Sequence, residues 1–177
     1  MKVKLRQEKK GDHTEVNKVI ELAFQNEPIS DQTEHYLVEK LRKSASFIPE
    51  LSIIAEHDRE IYGHILLTKA KIIDGNKSVE TLALGPVSVL PKVQNKGIGG
   101  ALMRDAHEKA LLLGYRSIVL LGHENYYPRF GYMIADEFGI RFPFKAPRQN
   151  CMVKELVPGS LKHVGGMVAY PKEFFVS

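Results

Sequence analysis

The sequence predicts an α+β fold: a mixed, mostly antiparallel sheet, splayed near its centre and flanked by helices. Three observations carry this expectation. β-Branched segments follow one another across turns of hairpin length, amphipathic segments lie on either side of them, and one strand runs through a glycine-rich turn directly into a helix. At 177 residues and 44% hydrophobic composition, the chain has the size of one domain, 1–177, able to bury a core without a covalent staple.

Lys2 to Arg6 reads as a short strand, and Asp12 with Glu15 three residues on marks a helix start, after which Val16, Val19, Ile20, Ala23 and Phe24 share one face. That helix should stop near Pro28. Ser30 then offers a cap for a second, shorter helix whose buried stripe is Leu37, Val38 and Leu41. Segments 51–57, 61–73 and 78–90 follow as a three-strand meander, its turns being Asp58 to Glu60 and Asp74 to Lys77. Gly85-Pro86 interrupts the last of these strands, and because proline cannot donate to a ladder a bulge or splay is expected there.

After the glycine turn, Ile98, Leu102, Ala106 and Leu113 recur at helical spacing until Gly114, and segment 116–123 forms a fifth, largely buried strand. Strand, helix and strand make one crossover unit, so the two strands should run parallel. Segment 125–135 supplies a turn or short helix and a further strand, and the tail carries strand candidates near Met152 to Val157 and Val164 to Tyr170.

Composition excludes several classes. Cys151 is the single cysteine, which rules out an internal disulfide and, with no cysteine or histidine at ligand spacing, a structural zinc site; no metal is expected. The absence of a long apolar run or a signal-like N-terminus predicts a soluble, cytoplasmic protein with no membrane partner. The net charge of +4 comes from dispersed lysines and arginines, with no basic stripe interleaved with aromatics, so no nucleic-acid partner is expected.

The chemistry concentrates in Val87 to Met103. A glycine turn between a strand and a helix N-terminus holds phosphate, because glycine lets the backbone come close and the unpaired amides face the anion. Gly100-Ala101-Leu102 lacks the Lys-Ser/Thr that a nucleotide-hydrolase phosphate loop requires, and a dinucleotide fingerprint counted from Gly97 meets Leu102 at its third glycine. What fits is Q-x-x-G-x-G: Gln94, Gly97 and Gly99, with Gly100 and Ala101 keeping the helix start small.

This stretch, Gln94-Asn95-Lys96-Gly97-Ile98-Gly99-Gly100, resembles the acyl-CoA-binding motif of the GNAT superfamily of N-acetyltransferases, and the element order is similar over nearly the whole chain. Asn125 to Tyr132 resembles that family's later N…Y-x-x-x-G-F/Y segment. The resemblance implies an acetyl-CoA-dependent N-acetyltransferase acting on a primary amine of a small molecule or peptide by direct attack. The alternative is a catalytically silent acyl-CoA-binding or sensing protein of the same fold.

It also implies roles. Backbone amides of Gln94, Asn95, Lys96, Gly97, Ile98, Gly99 and Gly100 would bind the coenzyme A pyrophosphate, while Val87 and Val89 would offer main-chain groups to the pantetheine arm, the Val89 amide also holding the oxyanion. Asn125 would contact the same arm. Tyr127, four residues before Gly131, would be the acid for the departing thiolate, with Tyr126 its rival if the register slips by one.

No base is assigned. Glu80 lies about 30 Å along its strand from Val89 at ~3.3 Å per residue, Ser88 faces away from Val87 and Val89, and His123 and Glu124 sit at the end of the fifth strand. The acceptor wall is expected from segments 25–32 and 142–152, where Glu27 and Asp31 would attract a cation but Arg141, Lys145 and Arg148 an anion. An apolar tail strand could pair across a homodimer.

Overall fold

A computed structural model of the chain describes residues 1–175. Its strands are β1 (Lys4–Gln7), β2 (Phe47–His57), β3 (Glu60–Asp74), β4 (Lys77–Val89), β5 (Ser117–Leu121), β6 (Met133–Ile134), β7 (Ile140–Arg141), β8 (Cys151–Glu155) and β9 (Gly166–Ala169). Its α-helices are α1 (His13–Phe24), α2 (Glu34–Arg42) and α3 (Ile98–Leu112). The strands form one open sheet in the order β1-β2-β3-β4-β5-β8-β6, antiparallel except for β4 with β5 and a short β7–β9 pair.

The helices bury the stripes their sequences prescribe. Val16, Val19 and Ile20 of α1, Val38 and Leu41 of α2, and Ile98, Leu102 and Ala106 of α3 enter one core with Ile53, Ile65 and Leu82 of the sheet. A second core, around Ile72, Val119, Val153 and Val168, joins the C-terminal strands to the sheet.

β4 carries the irregularity expected at Gly85-Pro86. Ile65 pairs with Val87 but Leu67 pairs with Leu84, so β4 holds one residue more than β3 across the shift. On its other edge β4 pairs with β5 only at Leu82–Ile118 and Ala83–Val119, and beyond these pairs the two strands part. Proline's missing donor and the extra residue thus open the sheet where a parallel ladder would otherwise continue.

Several local expectations are corrected. α1 does begin next to Asp12, but neither predicted capping group caps it. The Asp12 carboxylate accepts from the Lys9 amide at 2.7 Å and from Arg6 at 2.8 and 3.0 Å, and Glu15 accepts from the Ile61 amide at 3.0 Å. Ser30 does not cap α2, whose helical residues start at Glu34 after a turn in which Asp31 takes the amide and hydroxyl of Thr33. Leu113 is exposed and Ala110 occupies the buried position instead. Of the two tail strand candidates, β8 lies between β5 and β6 and β9 between β3 and β7 of their own chain. β6 falls within the strand expected in segment 125–135, whereas the two-residue β7 is too short for any period to announce it.

Candidate active site

The gap between β4 and β5 continues into a cavity of about 1180 Å³ that reaches from the first turn of α3 to the C-terminal segment. One end is the glycine turn. Asn95 and Gly97 both have positive φ, 62° and 84°, which folds the chain tightly just before α3 begins at Ile98. Gly97 can occupy that region without a Cβ clash, and its carbonyl accepts the Ala101 amide at 3.0 Å, leaving the amides of Ile98, Gly99 and Gly100 without helical partners. Gln94, Asn95, Gly97, Ile98, Gly99 and Gly100 all line the cavity. Lys96 does not; it is exposed to solvent.

The middle of the cavity is the edge of β4. The Leu90 amide donates to the Tyr62 carbonyl at 2.9 Å, so Tyr62 and Leu90 form a hydrogen-bonded pair of the antiparallel ladder. Hydrogen-bonded pairs alternate. The register therefore turns the N–H and C=O groups of Val87 and Val89 away from β3 and into the gap. The Val89 carbonyl accepts the Gln94 side-chain amide at 3.1 Å, which ties the glycine turn to the strand and leaves the Val89 N–H facing the opening. Ser88 points to the other face, where its hydroxyl is buried.

Two tyrosines meet this edge differently. A Cβ added to Gly99 would lie 2.8 Å from the Tyr126 hydroxyl, so Tyr126 reaches over the N-terminus of α3, and the Arg129 guanidinium sits 4.8 Å from its ring centre. Burial raises the Tyr126 phenol, while Arg129 and Arg104 pull it back. Tyr127 is held more firmly. Its ring packs against Gly122 just after β5, where a Cβ would come within 2.3 Å of a ring carbon, and it meets Tyr126 and Tyr132 edge-on at 5.0 and 5.8 Å between centres. Burial pushes its phenol far above the usual tyrosine value, so the group keeps its proton throughout the neutral range.

Among the other expected residues, Asn125 lies outside the cavity lining, its carbonyl accepting from Arg129 at 3.3 Å. His123 lines the cavity with its Nε2 3.7 Å from a Glu27 carboxylate oxygen, whereas Glu80 and Glu124 do not line it. Asp31 is occupied by Thr33 and Arg148 by Asp136 at 2.7 Å, and Arg141 is also outside, so Glu27 and Lys145 are the charged members of the expected acceptor wall that face the opening. Cys151 is outside it too, its thiol raised by burial.

Sequence reasoning missed Arg104, Arg129, Glu34, Tyr170 and Phe174, all of which line the cavity. Arg104 had a signal: it stands four residues after Gly100 on one helix face, and its guanidinium folds back to within 3.2 Å of where a Gly100 Cβ would be. Among the described residues no cluster of three potential metal ligands occurs, and no helix is long and apolar enough to cross a membrane.

Comparison with known proteins places the chain in a family. A family model described as an acetyltransferase (GNAT) domain matches residues 4–135. The uncharacterized N-acetyltransferase YjhQ of Escherichia coli strain K12 is 32% identical over 142 residues, covering 80% of this chain and 76% of that protein. The crystal structure of a GNAT family acetyltransferase from Brucella melitensis in complex with acetyl-CoA is similar with a TM-score of 0.80 and 34% identity, covering 98% of both chains. That of YhbS from Escherichia coli in complex with CoA has a TM-score of 0.89 at 21% identity, covering 99% of this chain and 93% of that one, and supports the fold.

Proposed function

The chain belongs to the GNAT N-acetyltransferase family, and from that premise we propose that it transfers the acetyl group of acetyl-CoA to a primary amine by direct attack within the β4–β5 cavity. The observation that carries this reading is the outward-facing backbone of Val87 and Val89, laid between a helix N-terminus suited to phosphate and a buried phenol suited to a leaving thiolate.

In this reading the coenzyme A pyrophosphate lies on the amides of the turn from Asn95 to Gly100, where the partial positive charge of α3 and the side chains of Arg104 and Arg129 offset its charge. Lys96 and Asn125, both outside the cavity lining, would contribute through the backbone at most. The pantetheine arm pairs with Val87 and Val89 as an added strand would, and so runs towards the splay. The neutral amine attacks the thioester carbon, the Val89 N–H stabilises the oxyanion, and the carbon–sulfur bond breaks as the Tyr127 hydroxyl hydrogen-bonds to the departing sulfur and delivers its proton; the nitrogen gives up its extra proton to solvent as the amide forms, and solvent returns one to the Tyr127 oxygen. No side chain is assigned as base.

Thermal unfolding tests the cofactor. Acetyl-CoA at about 100 times its Kd should raise the midpoint by roughly 5–10 °C, and NAD and ATP should not; equal shifts with all three would reject the reading. Turnover tests the acid. Tyr127→Phe should lower kcat about 100-fold while acetyl-CoA affinity stays unchanged. Loss on Tyr126→Phe instead would move the role by one residue, and acetyl-CoA binding without turnover of any amine would make the protein a silent acyl-CoA binder.

A further inference from the structure

The far end of the cavity, away from the glycine turn, is built unlike the cofactor end. Phe24 and Leu37 line it from α1 and α2, and Phe144, Tyr170 and Phe174 from the C-terminal segment. The last three interlock: Phe144 and Tyr170 meet edge-on at 4.9 Å between ring centres, as do Tyr170 and Phe174 at 5.0 Å. α2 packs directly on the turn from Lys172 to Phe175, which closes the wall. An apolar slot of this kind gains from burying a flat or branched hydrocarbon body.

Two polar atoms of the lining residues here are buried and lack partners. The Glu34 side chain accepts the Ser30 hydroxyl through one oxygen, while the other, Oε2, is buried with no donor. The Tyr170 hydroxyl is likewise buried without a hydrogen bond. Unsatisfied buried polar groups are costly and uncommon, so two of them lining one cavity point to a molecule that completes them. A carboxylate oxygen asks for a donor and prefers a cation; a phenol accepts or donates one bond. Glu27 stands at the same end and adds a second negative charge.

We propose that the acceptor is a cationic primary amine on an aryl or compact alkyl body, its ammonium captured by Glu34 and its body held among Phe144, Tyr170 and Phe174. This deepens the acetyltransferase reading and rests on it. The amine enters charged, gives up a proton before attack, and leaves as a neutral amide that no longer satisfies Glu34, which favours product release. A polyamine lacks the apolar body, and an amino acid would bring a carboxylate beside Glu27 and Glu34.

The test uses the intact protein with acetyl-CoA and three acceptors: phenethylamine, phenylalanine and spermidine. Phenethylamine should be acetylated with a kcat/KM at least about tenfold above either of the others, and Glu34→Gln should raise its KM about tenfold with the acetyl-CoA Kd unchanged. Preference for spermidine overturns the apolar body, and preference for phenylalanine overturns the cationic subsite and implicates Lys145, which also lines this end. Glu34→Gln without effect on KM overturns the capture by Glu34. Protein that binds acetyl-CoA, measured separately by calorimetry, yet neither binds nor acetylates phenethylamine also overturns the proposal; failure to bind acetyl-CoA instead overturns the reading beneath it.

Discussion

The two ends of α2 treat a carboxylate in opposite ways. At the C-terminal end Glu8 is buried and fully engaged: its two oxygens take Arg42 in a fork at 3.1 and 2.7 Å, and one of them also accepts the Ser52 hydroxyl at 3.0 Å. Arg42 in turn donates to Asn17 at 2.8 Å, and Ser52 shares a hydrogen bond with the buried His64 at 2.9 Å. At the N-terminal end Glu34 faces a cavity with one oxygen bonded and the other alone. The first carboxylate is part of what holds α1, α2 and the sheet together. The second is left incomplete by the fold, and an incomplete group beside open space is one that a ligand can finish.

That contrast can be broken most severely at Arg42. Arg42→Ala strands the Glu8 charge in the interior and should cost about 3–5 kcal/mol in urea unfolding, part of which the added change Glu8→Gln should restore. A loss below 1 kcal/mol would show that the network is ornamental.

Acid should weaken the same end. Burial pushes His64 down to about 4 against the pull of Glu8, while the unfolded residue titrates near its ordinary ~6.5. Between those values the unfolded chain binds the extra proton, so stability should fall as pH drops through that window, by on the order of 3 kcal/mol from this residue. Glu8 extends the trend. Burial opposes its charge, but Arg42, His64 and Ser52 outweigh that and hold it below the ordinary carboxylate value, so its contribution is present above about 4.3 and is lost at lower pH. Urea midpoints measured from pH 7 to 4 should decline less steeply in His64→Gln; identical slopes would contradict the assignment.

The smallest effect should come from the other end. Glu34→Gln keeps an acceptor for Ser30 and removes a charge that has no partner, so stability should change by no more than about 0.5 kcal/mol. If it fell as far as in Arg42→Ala, Glu34 would be structural and the comparison would fail.

What the sequence made legible was local. The meander, the stripes of α1 and α3, and the glycine turn follow from side-chain period and backbone freedom within a few residues, and the Gly85-Pro86 interruption announced the splay because proline's missing donor acts at its own position. The helix starts were less legible, because Asp12 and Glu15 had the right chemistry for caps but found stronger partners in Arg6 and the Ile61 amide. Glu34, Tyr170 and Phe174 could not be found at all. They come together only when the tail packs on α2, and no spacing in the chain encodes that meeting. Arg148 shows the converse: plausible as an anion receptor by composition, it is taken by Asp136.

β3 is shared between two neighbours on one edge: β2 pairs with it from Glu60 to Thr68, and β9 from Lys71 to Ile73. The strand that braces β4 on one side therefore also anchors the segment leading to Tyr170. The segment after residue 135, where the matched acetyltransferase region ends, is joined to the rest of the sheet chiefly at two seams: the three pairs Lys71–Ala169, Ile72–Val168 and Ile73–Met167 of β3 with β9, and the five pairs from Ser117–Glu155 to Leu121–Cys151 of β5 with β8. For protein engineering this makes the tail an exchangeable cassette. A graft that keeps both sets of pairs would rebuild the aromatic wall in a new shape while the glycine turn and the splay stay as they are.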